Sequence, residues 1–316
     1  MARKAPQDVR NITCLGAGPI GGGWASYFLA QGYDVTSWIH DAAEEEKLRG
    51  LIDAAWEALS ELGLADGASR DRLTVETDLA KAVANADFVQ ESVPENIALK
   101  QSVYADLGTL VPEGVVICSS TSGLSMTDIQ ARCPTPERTV TGHPFNPPYL
   151  MPLVEIVGGD KSDPDAVAWT GEFFKHAGKA PLVMEREVPG FVATRLQEAI
   201  WREALHMVNE GEATVEQIDI AITNGPGPRW ALMGPCMVYH VGGGEGGMRY
   251  CLEQFGPALK FPWTRLIAPE LTDELTEKVV AGSEEAAGGE DFLTLTRKMN
   301  DGLVKVLKAR REAGFD

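Results

Sequence analysis

Along residues 1–188, short β-branched, apolar runs alternate with longer stretches whose apolar positions recur every three or four residues. The short runs read as strands: Asn11–Leu15, Val35–Ile39, Asp87–Val93, Val115–Ser119, Thr139–Gly142, Leu153–Val157 and Pro181–Met184. Between them, Ala43–Leu64 and Ile97–Leu110 carry the helical spacing. Strands separated by helices predict a parallel sheet with crossover helices on its faces. Past Pro189 the strand signal stops. Phe191–Asn209, Val215–Thr223, Glu274–Gly282 and Asp291–Arg311 all read as amphipathic helices. The pattern predicts two domains, 1–188 and 189–316, the second entirely helical.

The first strand runs into Gly16-Ala17-Gly18-Pro19-Ile20-Gly21 and then into a helical stretch. A lone GxGxxG is a weak signal, but strand before and helix after give each glycine a task. The first makes the tight turn, the second admits a pyrophosphate to the backbone, and the third lets helix and strand close up. A glycine-rich turn with no ligand is the alternative. The expectation is therefore a Rossmann-type, mostly parallel doubly wound α/β sheet that binds a dinucleotide. In such folds an acid about 20 residues further on receives the adenosine ribose. Here that position is Ile39, which accepts no hydrogen bond, and Asp41 is the candidate substitute. Glu44, Glu45 and Glu46 would repel a 2′-phosphate, which favours NAD over NADP.

A second constellation is Gly142-His143-Pro144-Phe145-Asn146-Pro147-Pro148, followed by Leu153-Val154-Glu155-Ile156-Val157. Glu155 interrupts an apolar strand, and a carboxylate there is costly without a partner. His143 would satisfy it: the carboxylate would fix the imidazole tautomer and keep the ring basic. A loop histidine and an unrelated strand carboxylate are the plainer alternative, since pairing at a distance cannot be read from spacing.

Composition narrows the partners. The chain has 316 residues and a net charge of −18, and both halves are acidic. Nucleic acid and anionic membrane surfaces are poor partners for such a protein. No apolar run reaches the ~20 residues of a membrane helix, and no signal-peptide pattern opens the chain. The five cysteines are scattered, without metal-ligand spacing, so no metal site and a reducing, cytoplasmic setting are expected. Cys118 and Cys133 have no histidine nearby in sequence to activate them as nucleophiles. His40, His176, His206 and His240 are read as structural.

Five motifs occur in order: Gly16–Gly21, Gln90–Glu95, Ser119–Leu124, Gly142–Pro147 and Val188-Pro189-Gly190-Phe191. Together they resemble the 3-hydroxyacyl-CoA dehydrogenase family over nearly the whole chain. The resemblance implies an NAD-dependent dehydrogenase with His143 as general base and Glu155 as its orienting carboxylate. It places Ser122 and Asn146 on the substrate oxygens, and Glu95 and Ser119 along the cofactor. The family's Asn three residues after the Phe of Pro-Gly-Phe is Thr194 here, a departure that leaves this polar contact without its usual residue. Segments Gly227–Pro235, Gly242–Arg249, Gln254–Leu259 and Pro262–Thr264 are similar to the carnitine-oxidising branch of that family. This implies a small quaternary-ammonium 3-hydroxy acid as substrate.

Two physical arguments bear on that implication. A trimethylammonium donates no N–H bond and is held best by aromatic faces. Phe145, Trp230 and Phe255 are the candidates, drawn from an aromatic set that includes Trp201, Tyr239, Tyr250, Phe261 and Trp263; Arg229 is a candidate for the carboxylate. CoA phosphates, by contrast, need basic residues, and Asp41–Glu61 holds Lys47 and Arg49 among seven acids. A sugar-acid dehydrogenase and a non-catalytic, crystallin-like NAD-binding protein stay open as alternatives. The Gly242–Gly247 run follows no strand and carries Glu245, so it reads as a loop or subunit contact, not a phosphate cradle. Helices with no sheet to cover them predict a homodimer through the second domain.

Overall fold

In the computed structural model, strand residues alternate between two apolar clusters, one on each face of a single sheet. The structure describes residues 3–243, 247–255 and 292–314, together with 245, 257, 264, 270, 272–277, 280, 281, 288 and 290. The chain divides into two compact units, Met1–Thr194 and Arg195–Asp316.

The first unit holds eight strands: β1 (Asn11–Leu15), β2 (Asp34–Trp38), β3 (Leu73–Glu76), β4 (Phe88–Glu91), β5 (Val116–Ser119), β6 (Thr139–Pro144), β7 (Leu153–Gly158) and β8 (Ala180–Val183). Their order is β3-β2-β1-β4-β5-β6-β7-β8, and every pairing is parallel except β6 with β7. The expected Rossmann-type sheet is therefore present. Its helices are α1 (Pro19–Ala30), α2 (Glu45–Leu62), α3 (Leu79–Val83), α4 (Ile97–Leu110), α5 (Met126–Ile129) and α6 (Pro164–His176).

Side-chain alternation along each strand decides the layers. Phe88, Val116 and Cys118 join α1, α2 and α6 on one face, whereas Val89 and Ile117 join α4 and α5 on the other. The first face is aromatic: Trp24 stacks on Phe28 at 5.3 Å, and Phe88 meets Phe173 at 4.4 Å. β3 and α6 are among the elements that went unread in the sequence. β3 is a four-residue edge strand with no buried position, so it carries no apolar run. Helix α6 does have a start signal, Asp163 capping the Asp165 N–H ahead of Pro164.

The second unit is helical where described. It contains α7 (Ala193–Asn209, whose first residues belong to the first unit), α8 (Val215–Asn224), α9 (Gly227–Trp230), α10 (Pro235–Gly242), α11 (Gly247–Phe255) and the last helix, Phe292–Glu312. Thr214 starts α8 with a full capping box to Gln217. The expected helix 274–282 is seen only at 274–277, 280 and 281. Gly244, Gly246, Phe261 and Trp263 lie outside the described residues.

Candidate active site

A cavity of about 710 Å³ opens where β1 and β4, adjacent in the sheet, send their connections to opposite faces. This switch point is where doubly wound sheets bind ligands. Gly16, Ala17, Gly18, Pro19 and Ile20 form one wall. Gly16 sits at φ +103°, and a Cβ there would lie 2.6 Å from the Ser92 carbonyl oxygen. Gly21 packs so closely under the turn that a Cβ would come within 2.1 Å of the Gly16 oxygen. Gly18 differs: its missing Cβ faces open space. It is also the N-cap of α1 and has no side chain to cap the first N–H groups. A tight turn, a close pack and an open approach to a helix N-terminus are what a dinucleotide pyrophosphate requires, so the cleft fits NAD.

The opposite wall is a polar network. Glu95 Oε1 accepts from the Thr121 hydroxyl at 2.5 Å and from the Ser122 and Gly123 N–H groups at 3.0 and 3.2 Å. Burial works against its charge, but these bonds and nearby Lys100 outweigh burial and hold its carboxyl below the ordinary range. Lys100, a cavity residue that spacing did not reveal, is buried and pairs with buried Glu91 at 2.7 Å. Ser120 links the cleft to β6: its hydroxyl accepts from the Gln90 amide at 2.7 Å, and that amide also reaches the Gly142 carbonyl at 3.4 Å.

His143 follows Gly142 on β6. The one antiparallel pairing of the sheet makes His143 and Glu155 direct register partners. His143 Nδ1 lies 3.0 Å from Glu155 Oε2, with both side chains buried. The other carboxylate oxygen accepts the Val192 and Ala193 N–H groups, each at 2.8 Å. Burial opposes the charged form of Glu155. The His143 hydrogen bond and the two backbone donors overcome it, so the carboxyl lies below its ordinary value. An ionised carboxylate only accepts, so Nδ1 is the donor and, in the neutral imidazole, Nε2 is the nitrogen with the lone pair.

Rings hold the imidazole in place: Phe145 at 5.4 Å and Phe191 at 5.2 Å between centroids. Phe191 occupies the left-handed region at φ +49°, a backbone cost that structures keep where the surroundings enforce it. The Pro-Gly-Phe motif was the signal for this contact. Asn146 follows on the β6–β7 connection and is exposed. Buried Lys179 fastens that connection, its ammonium donating to the Pro148 and Met151 carbonyls and lying 3.5 Å from the Tyr27 ring centroid. Burial pulls the Lys179 pKa well below the usual lysine range.

The structure moves three expectations. Asp41 does not line the cavity; its carboxylate is taken by the Ala43 N–H at the start of the turn Ala42–Glu44. Ser119 ends β5 fully buried, with its hydroxyl on Glu91 Oε2 at 2.7 Å, and it is the following residue, Ser120, that reaches the cleft. His40, read as structural, lines the cavity with Glu44 and Lys47. Glu95 and Ser122 line it as well. In the second unit, Arg229 and Trp230 sit on α9 and Phe255 at the end of α11, and all three are exposed. Among the described residues no group of three or more His, Cys, Asp or Glu side chains is placed to hold a metal, and no helix is long and apolar enough to cross a membrane.

A doubly wound sheet with a dinucleotide cleft, and a histidine–carboxylate pair on the strand beyond it, defines a nicotinamide-dependent dehydrogenase. Comparison with known proteins specifies which kind. Residues 11–188 match the 3-hydroxyacyl-CoA dehydrogenase NAD binding domain, and residues 190–290 match the C-terminal domain of the same enzymes. The chain belongs to the 3-hydroxyacyl-CoA dehydrogenase family and is an NAD-dependent dehydrogenase. It is 56% identical to an L-carnitine dehydrogenase of Streptomyces coelicolor, over 98% of each chain. It is 50% identical to the L-carnitine dehydrogenase of Bacillus cereus, over 95% of this chain and 92% of that one. Among solved structures it resembles 5-formyl-3-hydroxy-2-methylpyridine 4-carboxylic acid 5-dehydrogenase, an NAD+-dependent dismutase, with a TM-score of 0.75 at 28% identity, covering 93% and 99% of the two chains. The 3-hydroxybutyryl-CoA dehydrogenase of Escherichia coli K12 aligns with a TM-score of 0.65 at 28% identity, over 89% of this chain and 58% of that one.

Proposed function

We propose that this chain oxidises the 3-hydroxyl of L-carnitine to 3-dehydrocarnitine, with His143 as general base and Glu155 as its orienting carboxylate. The observation that carries the mechanism is the buried, ionised Glu155 against His143 Nδ1, which leaves Nε2 free to take a proton. Carnitine as substrate is supported by the high identity to L-carnitine dehydrogenases over almost the whole chain and by the acidic α2 segment, which suits CoA phosphates poorly.

NAD, when bound, supplies the acceptor for the hydride that leaves C3 of the substrate. His143 Nε2 removes the hydroxyl proton as that C–H bond breaks, so the alcohol loses a hydride and a proton and becomes a ketone. Ser122 and Asn146 donate to the oxygen as charge develops on it. A trimethylammonium suits aromatic faces, for which the sequence offers Phe145, Trp230 and Phe255, and a carboxylate suits a guanidinium such as that of Arg229.

NADH formation followed in parallel with L-carnitine, L-gulonate and 3-hydroxybutyryl-CoA tests the substrate. Fastest turnover with either of the last two overturns it. His143→Ala is expected to lower turnover by a factor of about 10²–10⁴ while NADH still binds. Near-normal turnover would remove the base assignment. Trp230→Ala and Phe255→Ala are expected to raise the carnitine KM without changing NADH binding, and no effect from either ends the aromatic-pocket reading.

The same reading includes a homodimer through the second unit. Ile200 and Trp201 of α7 are exposed apolar side chains lining a groove of about 330 Å³ between α7 and α8, and Leu196 and Ile220 are exposed on the same two helices. A concentration-independent monomer in sedimentation contradicts it. A cytoplasmic location accords with five free cysteines.

A further inference from the structure

The second strand of this sheet lacks the terminal acid that receives an adenosine ribose in such folds, and neighbouring residues show what stands in its place. β2 stops at Trp38. Ile39 is fully buried in the apolar cluster with α1 and α2 and is not part of the cleft wall. Asp41 caps its own turn through one oxygen and is not on the cleft wall. Glu44, the last residue of that turn, folds back so that its Oε2 accepts the His40 N–H at 3.2 Å. This hydrogen bond sets a carboxylate over the end of β2 and on the wall of the cavity, beside Trp38 and His40. Lys47, one turn further along, lines the same wall.

We propose that Glu44 receives the adenosine ribose 2′-hydroxyl and is the residue that excludes a 2′-phosphate from this cleft. The inference rests on the assignment of the cavity to NAD. A ribose hydroxyl donates to the carboxylate, whereas a phosphate in the same place sets like charges against each other. The rest of the wall points the other way. Lys47 offers an ammonium and His40 an imidazole, and both suit a phosphate. Selectivity here is thus one negative charge set against donors that would otherwise welcome the second nucleotide. A strand-end aspartate achieves this from a rigid position; Glu44 does it from a helix entry, held by the His40 N–H.

The test is the affinity of the intact protein for NADH and for NADPH, measured by isothermal titration calorimetry without substrate. Wild type is expected to bind NADH more tightly. Glu44→Gln and Glu44→Ala are expected to weaken NADH about tenfold or more, the effect of losing one charge-assisted hydrogen bond. NADPH is expected to tighten by a similar factor. Lys47→Ala added to Glu44→Ala should cancel the NADPH gain, and Asp41→Asn should leave the ratio unchanged. Unfolding midpoints are measured alongside, because loss of fold weakens both nucleotides together whereas lost selectivity moves them in opposite directions. The proposal is overturned if the NADH-to-NADPH ratio stays within about threefold of wild type in both Glu44 variants, or if Asp41→Asn is the change that collapses it. Wild type binding neither nucleotide would instead refute the NAD assignment itself.

Discussion

Replacing Glu155 by glutamine changes one atom in a fully buried group and separates its two tasks. The carboxylate holds the His143 Nδ1–H at 3.0 Å and the Val192 and Ala193 N–H groups at 2.8 Å each. The amide oxygen of Glu155→Gln can keep both backbone donors, which turns the NH₂ toward Nδ1. Nδ1 must then accept, so the imidazole proton moves to Nε2 and the lone pair facing the substrate is lost. In serine-protease triads the equivalent exchange costs about 10⁴ in kcat, or about 5 kcal/mol on the barrier. A fall of about 10³–10⁴ is expected here, read from initial rates of NADH formation at saturating substrate. The fold is expected to survive. Each backbone bond drops from charge-assisted to neutral strength, about 1 kcal/mol, so urea unfolding should show a loss of about 2 kcal/mol. The pH dependence has a definite sign. Because the folded carboxyl lies below its ordinary 4.5, the wild-type advantage is complete above that value. It shrinks as pH falls through the folded value. A variant that folds and retains kcat within about tenfold of wild type would refute the tautomer argument.

Three further outcomes are expected. Gly18→Ala should leave stability within about 0.5 kcal/mol, since its Cβ enters open space, yet weaken NADH binding measurably. Gly16→Ala should lose about 1–3 kcal/mol, because its φ of +103° and the Ser92 oxygen both reject a side chain; denaturation and nucleotide titration of the pair check this contrast. Lys179→Met strands the Pro148 and Met151 carbonyls, partly offset by removal of a buried charge, for a net loss of about 1–3 kcal/mol. Its turnover should fall while NADH affinity holds, and unchanged stability and turnover would contradict the clamp. Asp87 is opposed by burial but held ionised by Lys4 and the Asn11 and Arg10 N–H groups, so its carboxyl lies below its ordinary 3.8. Its stabilisation is complete above that value and fades as pH falls through the folded one, and Asp87→Asn should flatten the acid limb of an unfolding-versus-pH curve.

What the sequence made legible follows from how local each signal is. The tasks of Gly16, Gly18 and Gly21 depend on a turn of six residues, and their order along the chain was enough to place the cleft. The alternation of strand and helix gave the sheet, because burial on both faces leaves apolar runs that punctuation can delimit. His143 and Glu155 were visible as a histidine and a costly carboxylate. Their pairing was not, because it is made by an antiparallel register that no spacing of 12 residues specifies. The residues whose orientation the sequence did not give lie at or just past strand ends. Whether Ser119 or Ser120 faces the cleft, and whether Asp41 does, are questions of where a strand stops and which way the next turn folds. A shift of one residue there moves a side chain from cleft to core.

Glu155 also has a bearing on how much of the chain is needed to make a working base. Its second oxygen is occupied by the N–H groups of Val192 and Ala193, just before and at the start of α7, which lie beyond the last strand and beyond residue 188, where the match to the NAD-binding domain ends. A protein cut at that residue would keep all eight strands and the glycine turn, and so the nucleotide cleft. It would forfeit two of the three donors that keep the carboxylate ionised inside an apolar strand. Nucleotide binding and proton abstraction therefore have different minimal lengths. The first belongs to the sheet, whereas the second also needs Val192 and Ala193, which follow the last strand within the same unit.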